Sequence, residues 1–215
     1  LNRLTGEPIF PIEERPAPAS DVPGEAAAPT QPYAGTPRPV TDDRWPGVST
    51  FANIASLGQC GRIASHLRYA GRFTPPSLGA GSLVYPGTAG GVEWGGGAVD
   101  PASQTYVVNS SRVVQIYKLI PREQYSKVSN DGKKPGYYAQ EGSPYGVYIG
   151  TYLNRIGMPC WNPPYGTLAS YDLNTGKLLW KEPFGEVQKW GFYMPDSWGS
   201  VTIGAPIVTK GGLIF

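Results

Sequence analysis

Apolar residues along this chain come in short runs separated by turn residues, and helical periodicity is confined to one segment. The clearest pattern is Ser170-Tyr171-Asp172-Leu173-Asn174-Thr175-Gly176-Lys177-Leu178-Leu179-Trp180. Tyr171 and Leu173 precede a turn, and Leu178, Leu179 and Trp180 follow it, all of them strand formers. Asp172 to Gly176 supplies the turn chemistry, because Asp and Asn bond their own backbone and Gly tolerates positive φ. The chain opens with a worn copy: Leu1-Asn2-Arg3-Leu4-Thr5-Gly6-Glu7-Pro8 keeps the spacing, with Asn2 in place of Asp172. A recurring hairpin favours a propeller among all-β repeat folds, although an ordinary antiparallel hairpin serves the same spacing.

Other short strands are predicted at Ser82–Tyr85, Tyr145–Tyr152, Gly166–Asp172, Lys177–Lys181, Val201–Thr209 and Leu213–Phe215. Tyr106–Asn109 and Val113–Tyr117 are expected to pair as consecutive strands of one blade. Thr50 to Tyr69 is the helical segment: Phe51, Ile54, Leu57, Ile63 and Leu67 form a stripe interrupted by Gly58 and Gly61, which predicts one or two short helices. Pro8 to Pro46 is rich in Pro, Ala and acidic residues and reads as loop or extended coil, a long excursion over about 8–49 ahead of the helices at about 50–70. Arg122 to Gly146 reads as a second excursion, with loops at Asn154–Pro164 and Glu182–Ser200; the latter carries Trp190 and Trp198.

Composition sharpens this picture. Of 215 residues, 29 are Gly and 23 are Pro, which suits many short strands joined by turns. The net charge of +2, with 16% charged residues, gives no electrostatic case for nucleic acid as a partner. No apolar run is long enough to span a membrane, and no targeting segment is visible. Both ends read as cuts through a larger protein. No Cys/His cluster has metal-ligand spacing, and His66, the only histidine, reads as a packing residue. Cys60 and Cys160 permit either a disulfide or two buried thiols.

Two stretches carry candidate chemistry. In Gly87 to Pro101, six glycines surround Glu93-Trp94, allowing close approach of a flat ligand or simply a crowded inner strand. Asn109 ends an apolar strand, where a buried amide needs partners; it also fits a turn before Ser110-Ser111.

The spacing Asp172-x-x-Thr175-Gly176-x-x-x-Trp180 resembles the tryptophan-docking repeat of the quinoprotein dehydrogenases, whose eight-bladed propeller holds pyrroloquinoline quinone. Six further stretches, in the family's order, resemble its membrane-bound glucose dehydrogenase branch. They are Thr30-Gln31-Pro32-Tyr33, Arg72-Phe73-Thr74-Pro75-Pro76-Ser77, Ser82-Leu83-Val84-Tyr85-Pro86-Gly87, Glu93-Trp94-Gly95-Gly96, Lys118-Leu119-Ile120-Pro121-Arg122 and Gly157-Met158-Pro159-Cys160. The resemblance implies an all-β fold, a C-terminal part of an eight-bladed β-propeller with long loop insertions. It implies pyrroloquinoline quinone with calcium or magnesium, a sugar, polyol or cyclic alcohol as substrate, and ubiquinone as electron acceptor. It places the parent protein at the periplasmic face of the bacterial inner membrane, which favours a Cys60–Cys160 bridge. Asn109 matches the branch's asparagine at the quinone pocket, and the strand with Glu93, Trp94 and Gly95 is placed beside the quinone. Glu93 departs from the wider family, where Asn is usual. The base carboxylate, main metal ligands and quinone lysine of the family have no match here, so no catalytic or metal-ligating residue is assigned. A non-catalytic propeller that binds proteins through the same repeats is the alternative; the glycine-rich strand, the long insertions and Lys118–Arg122 speak against it.

Overall fold

The computed structural model describes residues 1–189 and 191–215, so Trp190 lies outside the described residues. In chain order, strands β1 (Ile12–Pro16) and β2 (Thr30–Ala34) precede helices α1 (Thr50–Ala55) and α2 (Gln59–His66). Strands β3 (Ser82–Val84), β4 (Gly97–Asp100), β5 (Thr105–Ser111) and β6 (Gln115–Pro121) come next, then helix α3 (Arg122–Ser129). Strands β7 (Tyr137–Tyr138), β8 (Tyr145–Thr151), β9 (Gly166–Asp172) and β10 (Leu178–Pro183) follow, with the two-residue strands β11 (Gln188–Lys189) and β12 (Phe192–Tyr193) last.

Two four-stranded antiparallel sheets organise these elements: β10-β9-β5-β4 and β3-β6-β8-β7. β5 and β6 therefore do not pair with each other, against the expectation for Tyr106–Asn109 and Val113–Tyr117. Between them stand only Arg112, Val113 and Val114, all buried. No turn residue is available to reverse the chain, so it runs straight out of one sheet into the other.

Both excursions hold more structure than composition suggests. β1 and β2 form a hairpin within residues 8–49, with Glu13 opposite Tyr33. Arg122–Gly146 contains α3 and β7, so helix is not restricted to residues 50–69. α3 ends at Asn130 in the left-handed conformation, a stop that Asn tolerates. Val201–Thr209 is not a strand; only a bridge between Val208 and Ile214 forms there.

The repeated turn is the same at both sites. Asp172 donates its amide to Lys177 O at 2.9 Å and accepts from Gly176 N at 2.8 Å; Asn2 does the same with Glu7 O and Gly6 N, each at 2.8 Å. Side-chain Oδ1 atoms accept from Asn174 N at 2.8 Å and from Leu4 N at 2.9 Å. Gly6 and Gly176 both adopt positive φ, +76° and +68°. At Gly176 a Cβ would also meet Thr36 Cγ2 at 2.7 Å.

The principal core joins the helices to the second sheet through a disulfide between Cys60 on α2 and Cys160, Cα atoms 5.4 Å apart. Leu83, Tyr85, Val114, Tyr152 and Trp161 pack around it. Tyr152 donates its hydroxyl to Cys60 O, and burial pushes that phenol up to about 12. Ser49 caps α1 by accepting from Ala52 N at 3.2 Å, while its own amide bonds Cys160 O at 2.9 Å. At the crossing between sheets, buried Arg112 reaches Asp42 Oδ2 at 2.7 Å, Pro164 O at 2.9 Å and Tyr85 Oη at 3.1 Å.

Candidate functional site

Asn109 lies within β5 and not in a turn, opposite Leu168 of β9. Strand alternation sends Asn109 and Ser111 to one face and Ser110 to the other. On the second face Ser110 Oγ meets Thr167 Oγ1 at 2.9 Å. On the first, Asn109 Nδ2 donates to Thr202 Oγ1 at 2.8 Å, and Ser111 Oγ exchanges hydrogen bonds with the Thr202 backbone at 2.9 and 3.0 Å. Thr202 thus clamps two residues of one strand from across the sequence.

Glu93-Trp94-Gly95-Gly96 is a turn, not a strand. Gly96 N bonds Glu93 O at 2.9 Å. The ladder explains its shape. Gly91 bridges Ser111 and Gly97 pairs with Val108, so residues 92–96 stand against residues 109–110. The surplus backbone bulges out beside Asn109. Glycine is required at the base of the bulge, since a Cβ on Gly97 would lie 2.5 Å from Val107 O. Gly95 rests on Ala205, where a Cβ would come within 3.0 Å of the backbone nitrogen.

The bulge and Asn109 are thereby joined through residues 202–205. Asn109, Leu168, Phe184, Thr202 and Ala205 line a cavity of about 250 Å³. Glu93 Oε1 is buried without a hydrogen-bond partner, an uncompensated acceptor. Trp94 is different: its side chain is 93% exposed and does not line this cavity. Of the predicted residues, Asn109 lines the cavity, Gly95 rests on its wall residue Ala205, Glu93 is not among the lining residues, and Trp94 is left exposed.

Thr202, Leu168 and Phe184 were not anticipated. Leu168 sits on a strand whose existence was legible but whose neighbour was not. Thr202 is ninety-three residues from Asn109 and carries no local signal of the contact. His66 is exposed in the last turn of α2 and does not line this cavity. Among the described residues, no group of three or more His, Cys, Asp or Glu is placed to hold a metal ion. A larger apolar cavity of about 590 Å³, walled by Met158, Trp161, Tyr165 and Trp198, contains none of the predicted site residues. No helix among the described residues is long and apolar enough to cross a membrane.

A family model described as the PQQ glucose/ethanol/alcohol dehydrogenase β-propeller domain matches residues 1–215. The chain is 35% identical over 232 residues to the quinoprotein glucose dehydrogenase of Escherichia coli (strain K12), covering all of this chain and 28% of that protein. It is 32% identical to the probable quinate dehydrogenase (quinone) of Xanthomonas campestris pv. juglandis, again covering all of this chain and 28% of the relative. Against the glycerol dehydrogenase large subunit of Gluconobacter thailandicus the identity is 34%, with all of this chain and 32% of that protein covered. The chain thus spans about a third or less of the length of these curated relatives. No solved structure matches it.

Proposed function

The chain belongs to the PQQ-dependent glucose/ethanol/alcohol dehydrogenase β-propeller family, and from that premise we propose that the intact protein oxidises a sugar, polyol or cyclic alcohol and that β5 and the 92–96 bulge form one wall of its quinone site. The observation that carries the reading is buried Asn109 lining a cavity beside the point where the β4–β5 ladder opens into the 92–96 turn. Asn109 is a buried amide within β5, and Glu93 Oε1 is a buried, unpartnered acceptor in the neighbouring turn.

The residues present fit one edge of a planar, oxygen-rich cofactor. A cavity of about 250 Å³ is smaller than the usual ligand cleft of roughly 300–1,000 Å³, so it suits part of such a molecule. Thr202 holds the Asn109 amide in one orientation, leaving Oδ1 without a described partner. Glu93 Oε1, buried in the neighbouring turn, keeps acceptor capacity that no protein group among the described residues uses. Gly95 keeps the bulge thin enough to lie against Ala205, and Trp94, next to it in the turn, is exposed. The quinone, when bound, supplies the two-electron acceptor for the alcohol carbon. In this reading these residues orient and exclude water, and proton abstraction belongs to a carboxylate elsewhere in the intact protein.

The relatives are named for glucose, quinate and glycerol, all small polyhydroxylated molecules, which supports that substrate class. Ubiquinone as acceptor, calcium or magnesium beside the quinone, and a position at the periplasmic face of the inner membrane complete the proposal. The Cys60–Cys160 disulfide is in keeping with an oxidising compartment. Residues 8–49 are taken as an insertion in a single propeller domain.

Titration of quinone into the apo form of the intact protein tests this. Asn109→Leu should weaken quinone binding roughly 5- to 150-fold, the equivalent of about 1–3 kcal/mol for one unsatisfied hydrogen bond, and leave substrate KM much less affected. An unchanged cofactor constant with unchanged kcat would remove Asn109 from the site. Failure of the wild-type protein to bind quinone at all would leave the protein-binding propeller as the better description.

A further inference from the structure

The β1–β2 hairpin and the turn at residues 69–72 enclose a polar cavity of about 550 Å³ in a part of the molecule that the quinone reading does not use. Its walls carry Arg15, Arg44 and Arg72, with Asp43 as the one acidic residue among them. The arginines are not all spent on internal partners. Arg15 directs both Nε and Nη2 at a single oxygen, Glu13 Oε2, at 3.1 and 2.9 Å, while its guanidinium carbon lies 4.7 Å from the centre of the Tyr33 ring. Arg72 bonds Asp43 Oδ1 at 2.8 Å through Nη2, but its Nε is buried without a partner. Arg44 has no hydrogen-bond or ion-pair partner among the described residues.

An orphaned, buried guanidinium N–H is costly, and the same cavity is lined by the exposed Arg44, whose donors have no protein partner among the described residues. Three positive groups face Asp43 within the cavity; counting Glu13, which sits on Arg15, one positive charge stays uncompensated. Arginine presents donors in a rigid fork that matches the paired oxygens of a carboxylate or phosphate. The geometry points to an oxyanion site: the cavity between the β1–β2 hairpin and residues 69–72 binds a small singly charged phosphate or carboxylate through Arg44 and Arg72 Nε, with Arg15 held at the rim by Tyr33. Bound there, the anion ties the hairpin to the body of the protein. Nothing in this inference rests on the quinone.

The test is calorimetric titration of the intact protein at low ionic strength, with inorganic phosphate in one arm and acetate in the other. Saturable one-to-one binding is expected, and the tighter arm identifies the source of the oxyanion. Arg44→Ala should weaken it roughly tenfold or more, as loss of a charge-assisted hydrogen bond does, with Arg44→Lys between the two. Arg155→Ala, an exposed arginine elsewhere, should leave it unchanged. Because Arg44 makes no described contact, its removal should not alter the ligand-free melting temperature. If it does, Arg44→Gln, which keeps a polar side chain and removes the charge, replaces it under the same expectation, and unchanged binding in that variant overturns the proposal. Absence of saturable binding in both arms, or equal weakening by Arg155→Ala, overturns the proposal, and neither result bears on quinone binding.

Discussion

The two four-stranded sheets are built alike and secured differently. The β3-β6-β8-β7 sheet sits against α1, α2 and the 152–165 segment, and its core includes Tyr85, Val114, Tyr152, Trp161 and the disulfide. The β10-β9-β5-β4 sheet centres on just Val108, Ala169 and Tyr171, with Val40 and Tyr106 beside them. Its flanks stay open: Leu179 is 51% exposed, Trp180 36% and Val99 53%. A sheet face without a covering layer forgoes the burial that offsets chain entropy. The candidate cofactor wall lies on this thinly covered sheet. Polar clamps, Thr202 above all, hold it where apolar packing is sparse. A buried side chain such as Asn109 is therefore held in one place by polar contacts without sitting in the best-packed part of the molecule.

The largest expected effect comes from loosening the secure sheet. The bridge closes a loop with a sequence separation of 100 residues. In the chain-entropy model, Cys60→Ala with Cys160→Ala removes on the order of 4–5 kcal/mol. Denaturant unfolding of the intact protein should show this as a lower midpoint. If the midpoint does not move, the disulfide is not what separates the two sheets.

Next is the crossing between them. Arg112→Met should cost about 2–3 kcal/mol, because Tyr85 Oη and Pro164 O lose the donor they share in a buried setting, while half-exposed Asp42 is rehydrated. Hydrogen exchange should then rise in both β5 and β6. A rise confined to one strand would mean that the crossing does not couple the sheets.

A smaller change is expected within the open sheet. Thr202→Val keeps the shape of the clamp and removes the acceptor for Asn109, costing about 1–2 kcal/mol. Quinone binding should weaken while the melting of the secure sheet stays as it was. Loss of stability without any change in quinone binding would make Thr202 a purely structural clamp.

The smallest effect concerns the turn that borders the open sheet. The Asn174 amide and the Thr175 hydroxyl hold the Asp172 carboxyl below its ordinary range. A depressed folded pKa contributes stability above the unfolded value and loses it as pH falls through the folded one. The amide resonances of Asn174 and Gly176 should therefore move in acid, below the ordinary aspartate range. Leu4, bonded to the non-titrating Asn2, should not follow them. Asp172→Asn should abolish the movement. Persistence of the acid shift in that variant would assign it to another group.

Much of the fold was legible in the residues alone, for a local reason. Asp172-Leu173-Asn174-Thr175-Gly176 and Asn2-Arg3-Leu4-Thr5-Gly6 close the same turn because every partner lies within five residues. The segment at 50–69 folds as two short helices meeting near Gly58, as its glycine breaks predict, but Phe51, Ile54 and Leu57 of the expected stripe stand exposed and the helices bury Ala52 and Cys60 instead. Residue type and glycine density mark Asn109, Glu93 and Gly95 as candidates; in the fold Asn109 bonds Thr202 and Gly95 rests on Ala205 of the same segment.

What lay between segments was decided elsewhere. β5 and β6 look like a natural pair, yet β5 pairs with adjacent β4 and distant β9, β6 pairs with β3 and β8, and Arg112-Val113-Val114 gives the two no turn. The Glu93–Gly96 bulge exists because Gly91 and Gly97 take their register from β5, a constraint absent from the glycines themselves. The hairpin inside the Pro-rich stretch, the clamp by Thr202 and the exposure of Trp94 follow from what each meets across the fold. Turns and caps depend on hydrogen bonds between near neighbours, which sequence lays out in order. Strand partners and cavity walls depend on which apolar faces and donors meet in space, which the tertiary structure alone decides.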